Sequence, residues 1–199
     1  MVERSAMTTH THDALRVFCG LTLDDAAKAA VQQAISEPKS TLDSFRWTPT
    51  QNWHITLKFF GDVHPSAVDD LAQAMAAAAG PAIRVQLKNM GAFPNLQRPR
   101  VLWVGIDDMD GELGSLYERF EESCAHLAFE RERREYRPHL TVARPKRSGT
   151  APVVRTLESL WDLPICQAQL TQLVLFSSEV TQDGRIYRPL REVTLPDVS

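Results

Sequence analysis

The chain has 199 residues, of which 43% are apolar, and a formal net charge of −3. This length suits one domain of ordinary size, and the apolar fraction is enough to bury a core. No apolar run reaches the roughly 18 residues of a membrane span, which excludes a helical membrane protein. The net charge gives no sign of a general nucleic-acid binder. The three cysteines are widely spaced and suit neither a disulfide framework nor a zinc knuckle.

The first 13 residues are polar and lack the apolar segment of a secretory signal. We therefore expect residues 1–13 to be a disordered leader and residues 14–195 to form a single domain of two lobes. We further expect a cytoplasmic monomer that has no membrane partner.

The first half of the chain reads as strands interrupted by two helices, from the apolar periodicity and the turn residues between the elements. Its predicted elements are, in chain order, a strand at 14–21, a helix from 22 or 24 to 36, a short strand at 45–48, a strand at 53–60, a helix at 65–79, and strands at 83–90 and 101–106.

The second half repeats this order. Its predicted elements are a helix at 112–128, a strand at 138–143, a short helix at 153–160, and strands at 167–176 and 186–193 joined by a turn at 181–184. The order of elements departs from the strict alternation of a doubly wound parallel sheet. We predict an α+β fold with two lobes of mainly antiparallel sheet.

A short pattern occurs twice, first as HITL and then as HLTV. Successive side chains of a strand point to opposite faces, so His54 and Thr56 should share one face, as should His139 and Thr141. The apolar residues that alternate with them pack on the opposite face of each strand. Two such strands facing each other would bring two imidazoles and two hydroxyls into one central cleft.

This set of groups suits acid-base chemistry on a phosphate. Cleaving a phosphodiester in line requires a base for the incoming nucleophile and an acid for the departing oxygen. Histidine, with a pKa near 6.5, can serve as either at neutral pH. Threonine hydroxyls can donate hydrogen bonds to the other phosphate oxygens as negative charge builds up.

Positive charge surrounds the second copy, because residues 131–147 contain seven basic and two acidic side chains. A charge run is usually a solvated face, and we interpret residues 131–134 in that way. Arg144 differs because it follows directly from the strand that carries His139. Its guanidinium fork can bind the same phosphate.

Metal binding is the main alternative role for two histidines. A catalytic zinc usually has three protein ligands, and the acidic residue near either copy is Asp62. The other histidines lie in the leader, in a turn and on a helix. We therefore predict that the site contains no metal and no cofactor.

The two copies and their flanks resemble the bacterial RNA 2′,3′-cyclic phosphodiesterases of the 2H phosphoesterase superfamily, also called 2′-5′ RNA ligases. The resemblance covers residues 15–190 and rests on RWTPTQNWHITLKFFGDV, GAFPNLQRPRVLWVGI, YRPHLTVARP and GRIYRPL. It implies two pseudo-two-fold-related lobes with helices outside and the motifs facing across a cleft. It also implies metal-independent hydrolysis of a terminal 2′,3′-cyclic phosphate to a 2′-phosphate, and permits reversible 2′-5′ ligation.

Carried onto this chain, the family's proton donor falls on His54 and its proton acceptor on His139. The phosphate-binding hydroxyls fall on Thr56 and Thr141, and a phosphate-contacting arginine falls on Arg144. The implied partners are RNA or oligonucleotide ends with a 2′,3′-cyclic phosphate. The flank of the first copy departs from the family at Trp53, where a smaller aliphatic residue is commoner, and Lys58 follows the motif, which could alter substrate fit.

Two alternatives stay open. One is a related phosphodiesterase for another small cyclic phosphate or for a 2′-5′ oligonucleotide. The other is a module that binds RNA ends without hydrolysis, although arginine or lysine would bind a phosphate as well as two histidines do. Phe18, Trp47 and Phe93 could stack a base, and we expect at least two of these three to be core residues.

Overall fold

The computed structural model describes residues 14–147, 153–160, 163–182 and 184–197. The predicted disordered leader, residues 1–13, lies outside the described residues. Within them the elements are, in chain order, β1 (Leu15–Thr22), α1 (Asp25–Ala34), α2 (Ser36–Thr41), β2 (Phe45–Trp47), β3 (His54–Val63), α3 (Val68–Ala78), β4 (Ile83–Phe93), β5 (Val101–Asp108), α4 (Glu112–Ala125), β6 (His139–Pro145), α5 (Val154–Leu157), β7 (Pro164–Leu170), β8 (Gln172–Thr181) and β9 (Gly184–Thr194).

All nine strands of the described chain belong to one antiparallel sheet, with the order β7-β4-β5-β6-β3-β1-β8-β9 and with β2 added beside β6. The two motif strands, β3 and β6, are neighbours at the centre. Each half of the sheet therefore has its motif strand at its inner edge. The predicted α+β fold with two antiparallel halves is confirmed.

The C-terminal strands differ from the prediction of one strand at 167–176, which is wrong. The chain ends β7 at Leu170 and begins β8 at Gln172. The first of these strands pairs with β4, and the second pairs with β1 in the other half. Because Thr171 alone separates strands of opposite halves, the sheet curls into an open barrel.

The core lies between one face of the sheet and the helices. Leu113, Leu116 and Phe120 of α4 are buried at helical spacing, as their pattern predicts. They share one apolar cluster with the residues between the motif positions, including Ile55 and Leu140. Helix α3 packs against α4 and against β9. The other face of the sheet is left to carry the polar motif residues.

The three cysteines form no disulfide. Cys19 and Cys124 are buried, and Cys166 is half-buried. Burial raises the pKa of all three thiols, that of Cys124 to about 12. None of the helices in the described part of the chain combines the length and apolar character needed to cross a membrane.

Candidate active site

The centre of the site is the single point where β3 and β6 pair, which is Ile55 opposite Leu140. Both side chains are fully buried. In an antiparallel pair the residues on either side of this point face the opposite way. Continuing the register by one residue places His54 across from Thr141, and Thr56 across from His139. The imidazoles thus occupy diagonal corners of a square, each facing the hydroxyl of the other motif.

Each imidazole is oriented by a backbone carbonyl two residues upstream. Nδ1 of His54 lies 2.8 Å from the carbonyl oxygen of Asn52, and Nδ1 of His139 lies 2.8 Å from that of Arg137. A carbonyl oxygen can only accept, so Nδ1 carries the proton in both rings. Nε2 is therefore the atom of each ring that exchanges a proton with a substrate.

Neighbouring elements hold these segments in place. The side-chain amide of Asn52 donates to the carbonyl of Arg185 on β9, at 2.9 Å. The hydroxyl of Tyr136 donates to the carbonyl of Thr56 at 3.2 Å, and its ring stacks on Tyr117 with 4.1 Å between ring centroids. The segment before the second motif is thereby attached to the first motif strand.

Both imidazoles are less basic than a free histidine. Burial lowers the pKa of His54 from 6.5 to about 4, against the opposing effect of the Asn52 carbonyl, and the charges of His139 and Arg144 lower it further. Burial, with a smaller contribution from Arg144, also lowers the pKa of His139. Both rings are neutral at pH 7 in the free protein, so the donor role predicted for His54 requires a bound anion that raises its pKa.

Aromatic rings pack against the histidines. His54 lies 4.6 Å from Phe18 and 5.2 Å from Tyr187, between ring centroids, and His139 lies 5.0 Å from Phe93. Phe18 is 2% exposed, and Trp47 packs against the main core. Phe18 is therefore the one core residue among the three candidate stacking residues, fewer than the two expected, because Trp47 and Phe93 are only half-buried and each lines a cavity.

A β-bulge determines which way Arg144 points. Leu102 and Trp103 are consecutive on β5 but pair with Ala143 and Thr141, so Val142 is an extra residue in β6. Strict alternation would place Arg144 on the face opposite His139. The bulge shifts the alternation, and Arg144 is exposed on the motif face.

The first motif strand has the same bulge at the same position. Cys19 and Gly20 pair with Lys58 and Thr56, which leaves Leu57 as the extra residue. Phe59 then falls on the motif face with 71% of its surface exposed. It occupies the position in the first motif that Arg144 occupies in the second. Sequence reasoning missed Phe59, although both residues stand five positions after their histidines.

A cavity of about 1040 Å³ opens beside the square of motif residues. Thr56, Phe59, Phe93 and His139 line it, and residues 130–137 form one wall. Three arginines of this wall are already paired with carboxylates: Arg131 with Glu118, Arg134 with Glu132, and Arg137 with Glu135. This agrees with a solvated face.

Lys58, the departure noted beside the first motif, anchors this wall. Its ammonium group lies 2.8 Å from Oε1 of Glu121, and both side chains are buried. It also donates to the carbonyl of Glu130 at 2.7 Å, while the backbone N–H of Glu132 donates to Glu121 at 3.1 Å. Lys58 therefore joins β3 to α4 and to the start of the wall.

The metal alternative can be compared with the residues that the structure describes. Among them, no three histidine, cysteine, aspartate or glutamate side chains are grouped closely enough to hold a metal ion. Asp62 is exposed and lies opposite Arg16 of β1 in the strand register. The absence of a metal from the working enzyme stays a prediction.

Comparison with known proteins gives matches along most of the chain. A family model described as LigT-like phosphoesterase matches residues 22–103 and again 104–187, so each match contains one motif. The chain is 33% identical to an RNA 2′,3′-cyclic phosphodiesterase of Aeropyrum pernix over 72% of its length and 82% of the relative's. It is 30% identical to one of Archaeoglobus fulgidus over 89% and 98%. A crystal structure from Thermus thermophilus shares the fold, with a TM-score of 0.77, 22% identity, and coverage of 92% and 99%.

Proposed function

The chain belongs to the LigT-like phosphoesterase family, and on that basis we propose that it hydrolyses the 2′,3′-cyclic phosphate at RNA or oligonucleotide ends to a 2′-phosphate. One observation carries the proposal: His54 and His139 lie at diagonal corners of the cleft, each with Nδ1 held by a carbonyl. The two relatives compared above are named for this reaction on RNA.

The proposed reaction uses one imidazole on each side of the phosphorus. Nε2 of His139 takes a proton from a water molecule, whose oxygen attacks the phosphorus in line with the 3′ oxygen. The bond from phosphorus to the 3′ oxygen breaks, and His54 gives its Nε2 proton to that oxygen. The phosphate stays on the 2′ oxygen, and the two histidines end with their protonation states exchanged.

The other motif residues stabilise the charge on phosphate. The hydroxyls of Thr56 and Thr141 lie beside the histidines and can donate to the non-bridging oxygens. Arg144 adds a guanidinium whose charge already acts on both imidazoles. The bound phosphate anion favours the protonated form of His54, which burial alone disfavours.

If the 5′-hydroxyl of a second RNA takes the place of water in these steps, ring opening gives a 2′-5′ phosphodiester. By microscopic reversibility the 3′ oxygen can attack that linkage, release the 5′-hydroxyl and close the ring again, so reversible 2′-5′ ligation is permitted. No step in the scheme uses a metal.

We also propose that the protein works as a cytoplasmic monomer. Its three thiols form no disulfide and are largely buried, which fits a reducing compartment.

The test is incubation with an oligoribonucleotide that ends in 2′,3′-cyclic phosphate, with and without prior dialysis against EDTA. We expect loss of the cyclic end at equal rates in both samples. Binding without any loss of the cyclic end would favour the RNA-end binding module and overturn the proposal. Activity that EDTA removes and zinc or manganese restores would overturn the metal-independent scheme.

A further inference from the structure

Two arginine side chains lie opposite each other where β2 pairs with β6. Arg46 of β2 is directly opposite Arg144, and opposite residues of an antiparallel pair project from the same face. Phe45, the residue before Arg46, is 2% exposed and belongs to the main core. Arg46 is exposed, so its side chain lies on the motif face together with Arg144.

This pair is unusual in its charge. Like charges directly opposite each other on neighbouring strands are destabilising. Among the described residues, neither Arg46 nor Arg144 has a carboxylate within salt-bridge distance, whereas Arg131, Arg134 and Arg137 each have one. Two guanidinium groups without a carboxylate form a site for an external anion.

The pair is displaced from the reacting centre in a defined direction. Arg144 is three residues beyond Thr141, which faces His54. Because Val142 is the extra residue of the bulge, this corresponds to two strand steps, roughly 7 Å. Arg144 is near enough for its charge to act on both imidazoles. Arg46 lies one strand farther to the side, where it can contact a group that is attached to the reacting phosphate through the ribose.

An RNA end supplies such a group. A nucleoside 2′,3′-cyclic phosphate has one phosphate, but an RNA end also has a phosphodiester on the 5′ oxygen of the same terminal ribose. We propose that Arg46, opposite Arg144, forms a second anion site that binds the phosphate on the 5′ side of the terminal nucleotide. The inference rests on the proposed function and makes the protein selective for RNA ends over mononucleosides.

The experiment compares two substrates, a nucleoside 2′,3′-cyclic phosphate and the same compound with a 5′-phosphate. The quantity measured is the ratio of their kcat/KM values at fixed ionic strength. We expect the wild type to favour the 5′-phosphorylated substrate and Arg46→Ala to lower this ratio about tenfold. Arg46→Lys, which keeps the charge but not the fork, should lower it less.

Arg131→Ala is the matched control, because it removes one exposed guanidinium that is already paired with Glu118. The ratio for Arg131→Ala should equal the wild-type ratio. Thermal unfolding should show that Arg46→Ala and Arg131→Ala are both folded. An unchanged ratio in Arg46→Ala overturns the inference. If the ratio is unchanged because kcat/KM falls equally for both substrates, Arg46 acts on the reacting phosphate instead. If the wild type opens an oligoribonucleotide end but not the 5′-phosphorylated mononucleotide, the inference is overturned and the proposed function stands. If it does not open the oligoribonucleotide end either, the proposed function fails, and this inference with it.

Discussion

At the scale of single residues, the chemistry of the site depends on one hydrogen bond per histidine. A carbonyl fixes the proton on Nδ1 in both rings, at the same 2.8 Å distance. Nε2 of each ring is thereby available for proton exchange without a change of tautomer. His54 and His139 are equivalent in this respect, and they differ mainly in how deeply they are buried.

Replacing either histidine tests this assignment. We expect His54→Ala and His139→Ala each to lower kcat/KM for a cyclic-phosphate oligonucleotide by about 10²–10⁴, the usual effect of removing a general acid or base. The double variant should lose less than the product of the two effects, because both groups act on one transition state. Thermal unfolding controls for the fold. Near-wild-type activity in either single variant would rule out the paired scheme.

The pH dependence follows from the lowered pKa values. In the free protein both imidazoles titrate below 6.5, that of His54 at about 4. One ring must be protonated and the other neutral, so kcat/KM should be bell-shaped with its maximum below pH 6.5. The bound phosphate raises both pKa values, so the kcat maximum should lie at higher pH. A flat profile, or a kcat/KM maximum above about pH 7, would contradict this.

Arg144 and Arg131 should behave differently although both are exposed arginines. Arg144→Ala should mainly raise KM, with a smaller loss of kcat, because a guanidinium holds the anion in the ground and transition states alike. Arg131 is paired with Glu118, so Arg131→Ala should change little except the salt dependence. Steady-state kinetics at two salt concentrations measures both effects. Equal, large losses would mean that the site is misplaced.

At the scale of elements, the two bulges decide what the motif strands present to the cleft. The sequence indicates the alternation of His54 with Thr56 and of His139 with Thr141, and the structure keeps it. It does not indicate the extra residues Leu57 and Val142, since a bulge depends on pairing with another strand. For this reason Phe59 could not be placed in the cleft from the sequence, and Arg144 could be placed only by its proximity to the motif and by resemblance.

The buried ion pair of Lys58 and Glu121 is a second device at this scale. Glu121→Gln leaves the Lys58 charge buried without its counterion and should lower the free energy of unfolding by about 3–5 kcal/mol, measured by urea denaturation. The double change Lys58→Met with Glu121→Leu should recover much of this loss. Arg84→Ala, in an exposed pair with Asp110, is the control and should cost under about 1 kcal/mol. If Glu121→Gln lowers the free energy of unfolding by no more than Arg84→Ala does, the ion pair of Lys58 and Glu121 does not anchor the wall.

At the scale of the whole molecule, the repeat within the sequence corresponds to the two halves of the sheet. The motif pattern alone predicts two strands facing one cleft, and the family model matches each half of the chain in turn. The sequence does not indicate that β8 and β9 return to the half that contains β1. Residues 167–176 contain no glycine or proline that would mark the break between β7 and β8. The break arises because β7 pairs with β4 whereas β8 pairs with β1, and the sequence of this segment does not indicate either partner.

The pseudo-two-fold arrangement leaves one question of direction, namely which ring oxygen lies nearer to which imidazole. The measurement that tests the account most directly is analysis of the product formed from an oligoribonucleotide ending in 2′,3′-cyclic phosphate, against 2′- and 3′-phosphorylated standards. With His139 activating water and His54 protonating the 3′ oxygen, the wild type should give the 2′-phosphate alone, and the double variant His54→Ala with His139→Ala should leave the ring closed. A 3′-phosphate product would contradict the roles assigned to His54 and His139, and ring opening by the double variant at the wild-type rate would contradict the two-histidine mechanism.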